Sequence, residues 1–427
     1  MRKSIGLWGV CLVVLAALLI VAPSATAGGS SEKTTGNVTL TWAGWDPISK
    51  YQPLIDQYAK NKPSVTIQYT SYPDYKTKML TSAASGTLPD ILGIGTGYVL
   101  DFGAAGILKE VGPALKDDPS YDFNDIWPSA LPFITYNGKI YAAPSDGGTY
   151  AMVYNKKMFD AAGVPYPTDK WTWDDFLAAA KKLTITQGGK TRYATFVLAN
   201  GFDGMYGYVR QNGGDIFNAD HTKSMLDQPA AWQAMQWVKD LDTKYHVAPP
   251  IESTSNIPLP IASMINSGTI AMGRVGMWET HVLKDSDILD WAATPMPAGV
   301  AGHSEILYLN GLGVAASSKV GNDAVDFLKF ATSKTGEEIL LRHTSDPQIA
   351  VRKSLKEVAI SSFEAKRNAG AWIDAMAYSQ YYPLIPKLSE VIGVADREMS
   401  KALIEGQPAQ QVFATIAADQ NAVLSGQ

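Results

Sequence analysis

The sequence predicts an α/β protein built as two lobes, and three observations carry that expectation. The chain has 427 residues, too many for one ordinary hydrophobic core. Its N-terminal part alternates strand-like and helix-like apolar patterns, which implies a parallel sheet with right-handed crossovers. The stretch Gly138 to Phe159, GKIYAAPSDGGTYAMVYNKKMF, leaves one apolar run and enters another without a tight hairpin turn, as a crossing between two bodies does. Composition agrees with a folded chain, at 46% hydrophobic and 18% charged residues. A net charge of −5 gives no reason to expect nucleic acid or an anionic membrane surface as partner. Eleven Trp and twenty Tyr supply many flat amphipathic faces, most of them for core packing.

The chain opens on a targeting pattern. Arg2 and Lys3 form a positive region, Leu12 to Val21 an apolar run, and Ala25-Thr26-Ala27 a small-x-small cleavage site. Residues 1–27 are therefore expected to be a signal peptide and 28–36 a flexible leader. An uncleaved anchor is the rival reading. The one Cys, Cys11, lies inside the apolar run, so the mature chain has no disulfide and no Cys-based metal site. No later apolar run approaches membrane-spanning length.

Val38, Leu40 and Trp42 alternate with polar residues as a first strand, with Trp45-Asp46-Pro47 at its C-terminal end. Tyr51, Leu54, Ile55 and Tyr58 recur at helical spacing, Val65 to Thr70 is a second strand, and Tyr75 to Ser85 a helix with Met79, Leu80 and Ala83 inward. Pro89 to Gly95 is a third strand ending in Thr96-Gly97. Ligands of such sheets bind beyond the C-terminal strand ends, where Trp45, Asp46 and Thr96 sit. In the crossing, a strand stops at Pro144, Ser145 to Gly148 is flexible turn chemistry, Ala151 to Tyr154 is a strand and Asn155 can cap a helix. Thr172 and Asp175 have capping-box spacing, as have Thr335 and Glu338. Tyr193 to Leu198 and Thr269 to Met272 read as strands, Ala230 to Leu241 as a helix, and Pro249 to Pro260 as irregular. Ile306 to Ala316 reads as a strand with a Gly-rich break at Asn310 to Gly313, a second candidate crossing. The remainder from Phe363 is mostly helical.

Several chemistries find no support. The His residues at 221, 246, 281, 303 and 343 make no metal-ligand pair at helical spacing, and no G-x-S-x-G occurs. Gly189-Lys190-Thr191 resembles the end of a P-loop, but position 184 is Thr. Gly93, Gly95 and Gly97 follow a strand, yet the third glycine of G-x-G-x-x-G is misplaced. Asp46, Asp90, Asp146 and Glu279 lie near strand ends or the crossing. Two of them across a cleft could do glycosidase work, or they could accept hydrogen bonds from sugar hydroxyls.

The motifs LTWAGWD (40–46), LPDIL (88–92), GKIYAAPSDGGTYAMVYNKKMF (138–159), TWDDFLAAAKKL (172–183), SGTIAMGRVGMW (267–278), GLGVAASSK (311–319) and DFLKFATSKTGEE (326–338) occur in this order. With them the chain resembles the carbohydrate-binding proteins of bacterial ABC importers, the maltose-binding-protein-like family 1 extracellular solute-binding proteins. The likeness spans nearly all of the mature chain. It implies a type II two-lobe periplasmic-binding-protein fold, each lobe a mostly parallel sheet flanked by helices, joined by hinge crossings. The implied lobes are 37–144 plus 310–357 and 145–309 plus 358–427, with a third crossing around Lys356 to Phe363. Many relatives carry a lipobox Cys where this chain has none, which favours a free periplasmic protein over one anchored on the cell surface.

The resemblance further implies that Trp278 stacks on a sugar ring and that Trp45, Asp46, Thr96 and Asp146 line the cleft. Glu279, Asn310, Arg352, Tyr75 and Phe202 are further ligand candidates, each with a cap, surface or core role as its rival. The expected function is capture of a sugar or oligosaccharide and delivery to the transmembrane subunits of an ABC permease. No catalytic residue, metal or cofactor is expected, and the protein is expected to be a monomer without nucleic-acid partner. A secreted glycoside hydrolase and a binder of a non-sugar solute such as a polyamine are the alternatives.

Overall fold

The computed structural model describes residues 37–197, 202–250, 261–343, 348–361, 363, 367–385 and 387–426. The expected signal peptide and leader lie outside the described residues, as does most of the Pro-rich stretch.

The first sheet begins as the alternation predicts. Strand β1 (Val38–Gly44) is followed by helix α1 (Ile48–Asn61), β2 (Val65–Ser71), α2 (Tyr75–Ala84) and β3 (Ile91–Ile94). β1 lies between β2 and β3 and is parallel to both. α1 buries Leu54, Ile55 and Tyr58, as its spacing dictates. α2 buries Tyr75, Met79 and Ser82, an i, i+4, i+7 stripe. Leu80, expected inward, is off that stripe and stands 39% exposed.

The remaining main strands are β4 (Ala142–Gly148), β5 (Tyr150–Asn155), β6 (Met272–Gly276), β7 (Trp291–Thr294) and β8 (Tyr308–Val314). The first sheet has the order β2-β1-β3-β8-β4, with β8 antiparallel to both neighbours. The second has the order β6-β5-β7, with both outer strands antiparallel to β5. In the first sheet four of the five strands run the same way and β8 alone runs against them, as a mostly parallel sheet requires, whereas in the second β5 runs against both neighbours. β6 and β7 do run the same way as each other. β5 arrives between them straight out of the first sheet and so runs against both. Periodicity reveals a strand but not the side from which it enters.

Two glycine-rich segments read as a turn and a break are strand. β4 runs through Pro144 to Gly148, every residue buried, and β8 runs through Asn310 to Gly313. The register steps from Asn310↔Asp146 to Gly311↔Pro144, so Ser145 is the extra residue of a bulge. Pro144 is tolerated beside that bulge. The glycines are close-approach positions. A Cβ on Gly147 would lie 2.6 Å from the Leu309 side chain, and one on Gly311 2.5 Å from the Ala143 carbonyl. Of the expected strand from Tyr193, only a bridge to Ile270 forms, and Leu198 lies outside the described residues.

Capping follows the sequence at two of three places. Asn155 accepts the Lys157 N–H at 3.1 Å, and Thr172 with Asp175 forms a complete capping box. The helix Lys334–His343 is capped by Ser333, whose hydroxyl accepts the Gly336 N–H at 3.2 Å, and not by Thr335. One core gathers Leu40, Trp42, Tyr58, Phe102 and Phe327 around the first sheet. Another gathers Met152, Phe159, Phe176, Tyr206 and Phe413. A third places Leu355, Ala359 and Trp372 against Val153, Val275 and Trp291.

The chain passes between the sheets at Thr149, the single residue separating β4 from β5, and again at Leu307. Thr149 is fully buried, and its hydroxyl donates to the Ile306 carbonyl at 2.8 Å and lies 3.0 Å from the Ser379 hydroxyl. Glu305–Ile306 pairs in parallel with Ser379–Gln380, and Leu307 N–H donates to the Gln380 carbonyl at 3.2 Å. One hydroxyl thereby joins three separate segments of the chain.

Candidate ligand-binding cleft

A solvent-open cleft of about 1010 Å³ lies at these passages. Its lining comes from the loop after β1 (Trp45, Asp46) and the start of α1 (Lys50), from the passage strands (Gly148, Tyr150, Tyr308, Asn310), from the turn after β6 (Trp278, His281) and from Gln348.

Each tryptophan is seated on glycines. A Cβ on Gly93 would lie 3.0 Å from Trp45 Cζ3, and one on Gly95 3.5 Å from its Cη2. The spaced glycines in and just after β3, Gly93 and Gly95, therefore clear room for an indole, not for a phosphate. Behind it stand Tyr75 and Tyr98, edge to face at 5.3 and 6.0 Å between centroids. Trp278 opens the turn Met277–Val282 directly after β6. A Cβ on Gly148 would lie 2.6 Å from its Cε3, and one on Gly276 2.5 Å from its Cε2. Tyr150 and Tyr308 meet this ring edge-on at 5.1 and 5.5 Å.

Polar groups sit between the aromatic walls. Asp46 Oδ2 accepts from Lys50 Nζ and from the Tyr51 hydroxyl, both at 2.8 Å. Asp146 is 3% exposed and lies under the cleft, not on its surface. Its Oδ1 accepts Asn310 Nδ2 at 2.7 Å and its Oδ2 the Ser145 hydroxyl at 2.9 Å. In the amide orientation that satisfies both ends, Gln348 also reaches Asp146 Oδ1, at 3.1 Å. Asp146 thereby orients two amides that do line the cleft.

The structure thus brings Trp45, Asp46, Trp278 and Asn310 together, with Asp146 beneath them. Others stand elsewhere. Tyr75 is 3% exposed and backs Trp45. Thr96 bonds the backbone of Leu309, its hydroxyl 3.4 Å from the N–H. Glu279 follows Trp278, but one of its carboxylate oxygens is buried without a hydrogen-bond partner. Desolvation pushes its pKa up to about 7, against the backbone hydrogen bond at Ala262 and the charges of Arg274 and His281. Arg352 is a correction, being fully buried in the first lobe. Its guanidinium donates to the Thr332 carbonyl at 2.9 and 3.1 Å and to the Asp122 carbonyl at 3.1 Å, and lies 4.7 Å from the centre of the Tyr121 ring. An arginine in a loop can turn to solvent or inward, and here three carbonyl bonds hold it inward. The Phe202 side chain lies outside the described residues.

Sequence reasoning missed Lys50, Tyr150, His281, Tyr308 and Gln348. Lys50 was findable, because it lies one helical turn after Asp46. Tyr150 and Tyr308 carry no such signal, since only the strand register brings them to one place. Among the described residues no group of three or more His, Cys, Asp or Glu could hold a metal ion. None of their helices is long and apolar enough to cross a membrane.

Residues 44–338 match the bacterial extracellular solute-binding protein family. The chain belongs to this family. A lactose-binding protein of Rhizobium radiobacter is 26% identical to this solute-binding protein over 317 residues, 70% of this chain and 71% of that one. Solved structures of similar fold include an ABC substrate-binding protein of Listeria monocytogenes in complex with cycloalternan. It has a TM-score of 0.82 and 23% identity, over 91% of this chain and 99% of that one. The GacH receptor of Streptomyces glaucescens, solved unliganded and with acarbose, has a TM-score of 0.79 and 22% identity, over 91% and 99% of the two chains. These neighbours are two-lobed, maltose-binding-protein-like type II folds, the architecture expected from the sequence.

Proposed function

We propose that this solute-binding protein captures a sugar or oligosaccharide in the cleft, closes around it and delivers it to the transmembrane subunits of an ABC permease. The observation that carries the reading is the pair of tryptophans, each bedded on two glycines, with hydrogen-bonding groups between them. A pyranose ring has an apolar C–H face and a rim of hydroxyls. Flat indoles cover the first, and Asp46, Asn310 and Gln348 pair with the second through strong, partly charge-assisted bonds. The names of relatives point the same way, as lactose-binding, arabinooligosaccharide-binding and maltotriose-binding proteins.

The protein binds without catalysis. Of the four carboxylates weighed for glycosidase chemistry, Asp46 alone lines the cleft. Asp90 is bonded to Thr41 and Ser318, and two facing carboxylates are the minimum for that chemistry. The segments at Thr149 and Leu307, with a third crossing around Lys356 to Phe363, act as the hinge between lobes near 37–144 plus 310–357 and 145–309 plus 358–427. Ligand stabilises the closed state by its differential affinity. Cleavage after Ala27 would release a monomeric protein into the periplasm. A thermal-shift screen over mono- and oligosaccharides tests the binding reading. A rise in Tm with at least one sugar, smaller in Trp278→Ala, is expected, and no shift with any sugar would contradict it.

A further inference from the structure

A buried charge pair touches the cleft from behind. Arg274, in β6, and Glu305, at the second passage, are 8% and 1% exposed. Arg274 Nε lies 3.1 Å from each carboxylate oxygen, and its Nη2 lies 2.7 Å from Oε2. Glu305 Oε2 also accepts the Ile306 N–H at 3.2 Å. The carboxylate is walled in by the helix Phe202–Gln211, where a Cβ on Gly207 would lie 3.3 Å from it. Burial works against the charge on Arg274, but the Glu305 carboxylate together with Tyr150 and Tyr308 more than offsets this and its pKa is raised. The guanidinium carbon sits 3.3 Å from the centre of the Tyr150 ring. Tyr150 lines the cleft and touches Trp278 and Tyr308 edge-on, at 5.1 and 6.0 Å.

We infer that Arg274 and Glu305 are positioning residues for ligand binding, fixing the plane of Tyr150 and through it the aromatic wall formed with Trp278 and Tyr308. Stability alone does not explain the pair, because well-packed apolar residues in place of a buried ion pair are often as stable or more so. What the pair supplies is geometry. A planar guanidinium locked by a carboxylate at its edge can lie only one way against a ring, and lysine cannot reproduce that stack. One face of Tyr150 is covered by the cation, so the ring meets ligand with its edge, hydroxyl or other face. Glu305 adjoins Ile306, which is bonded to Thr149, so the wall is anchored where the chain passes between sheets.

The inference rests on the sugar-binding reading. The test is a double-mutant cycle of Arg274→Lys and Tyr150→Ala, with Kd measured by calorimetry for the tightest binder in a panel of mono- and oligosaccharides. The Tm of each unliganded variant is measured in parallel. Arg274→Lys is expected to weaken binding by about tenfold in the wild-type background while Tm shifts little. In the Tyr150→Ala background it is expected to change binding less than about twofold, because the coupled ring is gone. Wild-type affinity in Arg274→Lys, or losses that multiply in the double variant, would overturn the inference. Should Arg274→Lys fail to fold, Glu305→Gln carries the same cycle with the same outcomes in Kd, at a lower Tm because the buried guanidinium loses its counter-charge. A wild type that binds none of these sugars overturns the proposed function and this inference together. A wild type that binds, with an indifferent Arg274→Lys, overturns this inference alone.

Discussion

A methyl group at position 276 would come within 2.5 Å of the Trp278 indole, and one at 148 within 2.6 Å. Neither contact is with the flexible end of a side chain, so the ring itself must tilt or lift. Gly276→Ala is therefore expected to weaken sugar binding and to shift the emission maximum of the unliganded protein, both read by tryptophan fluorescence. Trp278→Ala removes the platform altogether and should cost about 2 kcal/mol of binding, roughly thirtyfold in Kd by calorimetry. At this scale the sequence was partly legible. Trp45, Asp46 and Trp278 stand in the motifs that carry the resemblance and Asn310 at the expected second crossing, and all four line one cleft. Arg352 did not follow, because nothing local distinguishes an arginine that reaches ligand from one whose guanidinium is taken up by backbone carbonyls twenty and more positions away.

Among the elements, the helix Trp173–Leu183 states its start most clearly. Thr172 accepts the Asp175 N–H at 3.3 Å, and the Asp175 carboxylate accepts the Thr172 N–H at 2.9 Å. Thr172→Ala should lower unfolding free energy by about 1 kcal/mol in a denaturant titration and leave sugar affinity unchanged. Where the pattern is local, as in β1, α1 and this capping box, spacing determines the element. β4 and β8 behave otherwise. Their glycines and Pro144 have the composition of turns, but as strand they lie where a Cβ would run into the Ala143 carbonyl at Gly311 and into the Leu309, Trp278 and Leu108 side chains at Gly147, Gly148 and Gly313. That requirement is tertiary and leaves no local signature. The direction of β5 is likewise fixed by where the chain comes from, so an antiparallel second sheet was out of reach of periodicity.

The whole molecule couples its stability to pH through two buried acids. Burial pushes Glu279 up to about 7 and Glu337 up to about 8, from an ordinary value of 4.5. Both groups hold a proton more tightly folded than unfolded. Their contribution is complete below the unfolded value and is lost as pH rises through about 7 and about 8. Asp118, held down to about 2 chiefly by its bond with Lys329, titrates below this window and does not mask it. Unliganded Tm should therefore fall between about pH 5.5 and about pH 8.5, and Glu337→Gln, which keeps an acceptor for the Val351 N–H, should flatten the upper part of that fall. Two lobes were legible from length and from the Gly138 to Phe159 crossing, whereas the single hydroxyl of Thr149 that joins three chain segments was not. The central claim is that a sugar is held between Trp45 and Trp278. The measurement that bears on it most directly is calorimetric titration of the wild type with a panel of mono- and oligosaccharides, repeated on Trp278→Ala. The account predicts one saturable one-to-one site for at least one of these sugars, weakened about thirtyfold in the variant. Absence of binding by all of them, or binding that the loss of Trp278 leaves untouched, would contradict it.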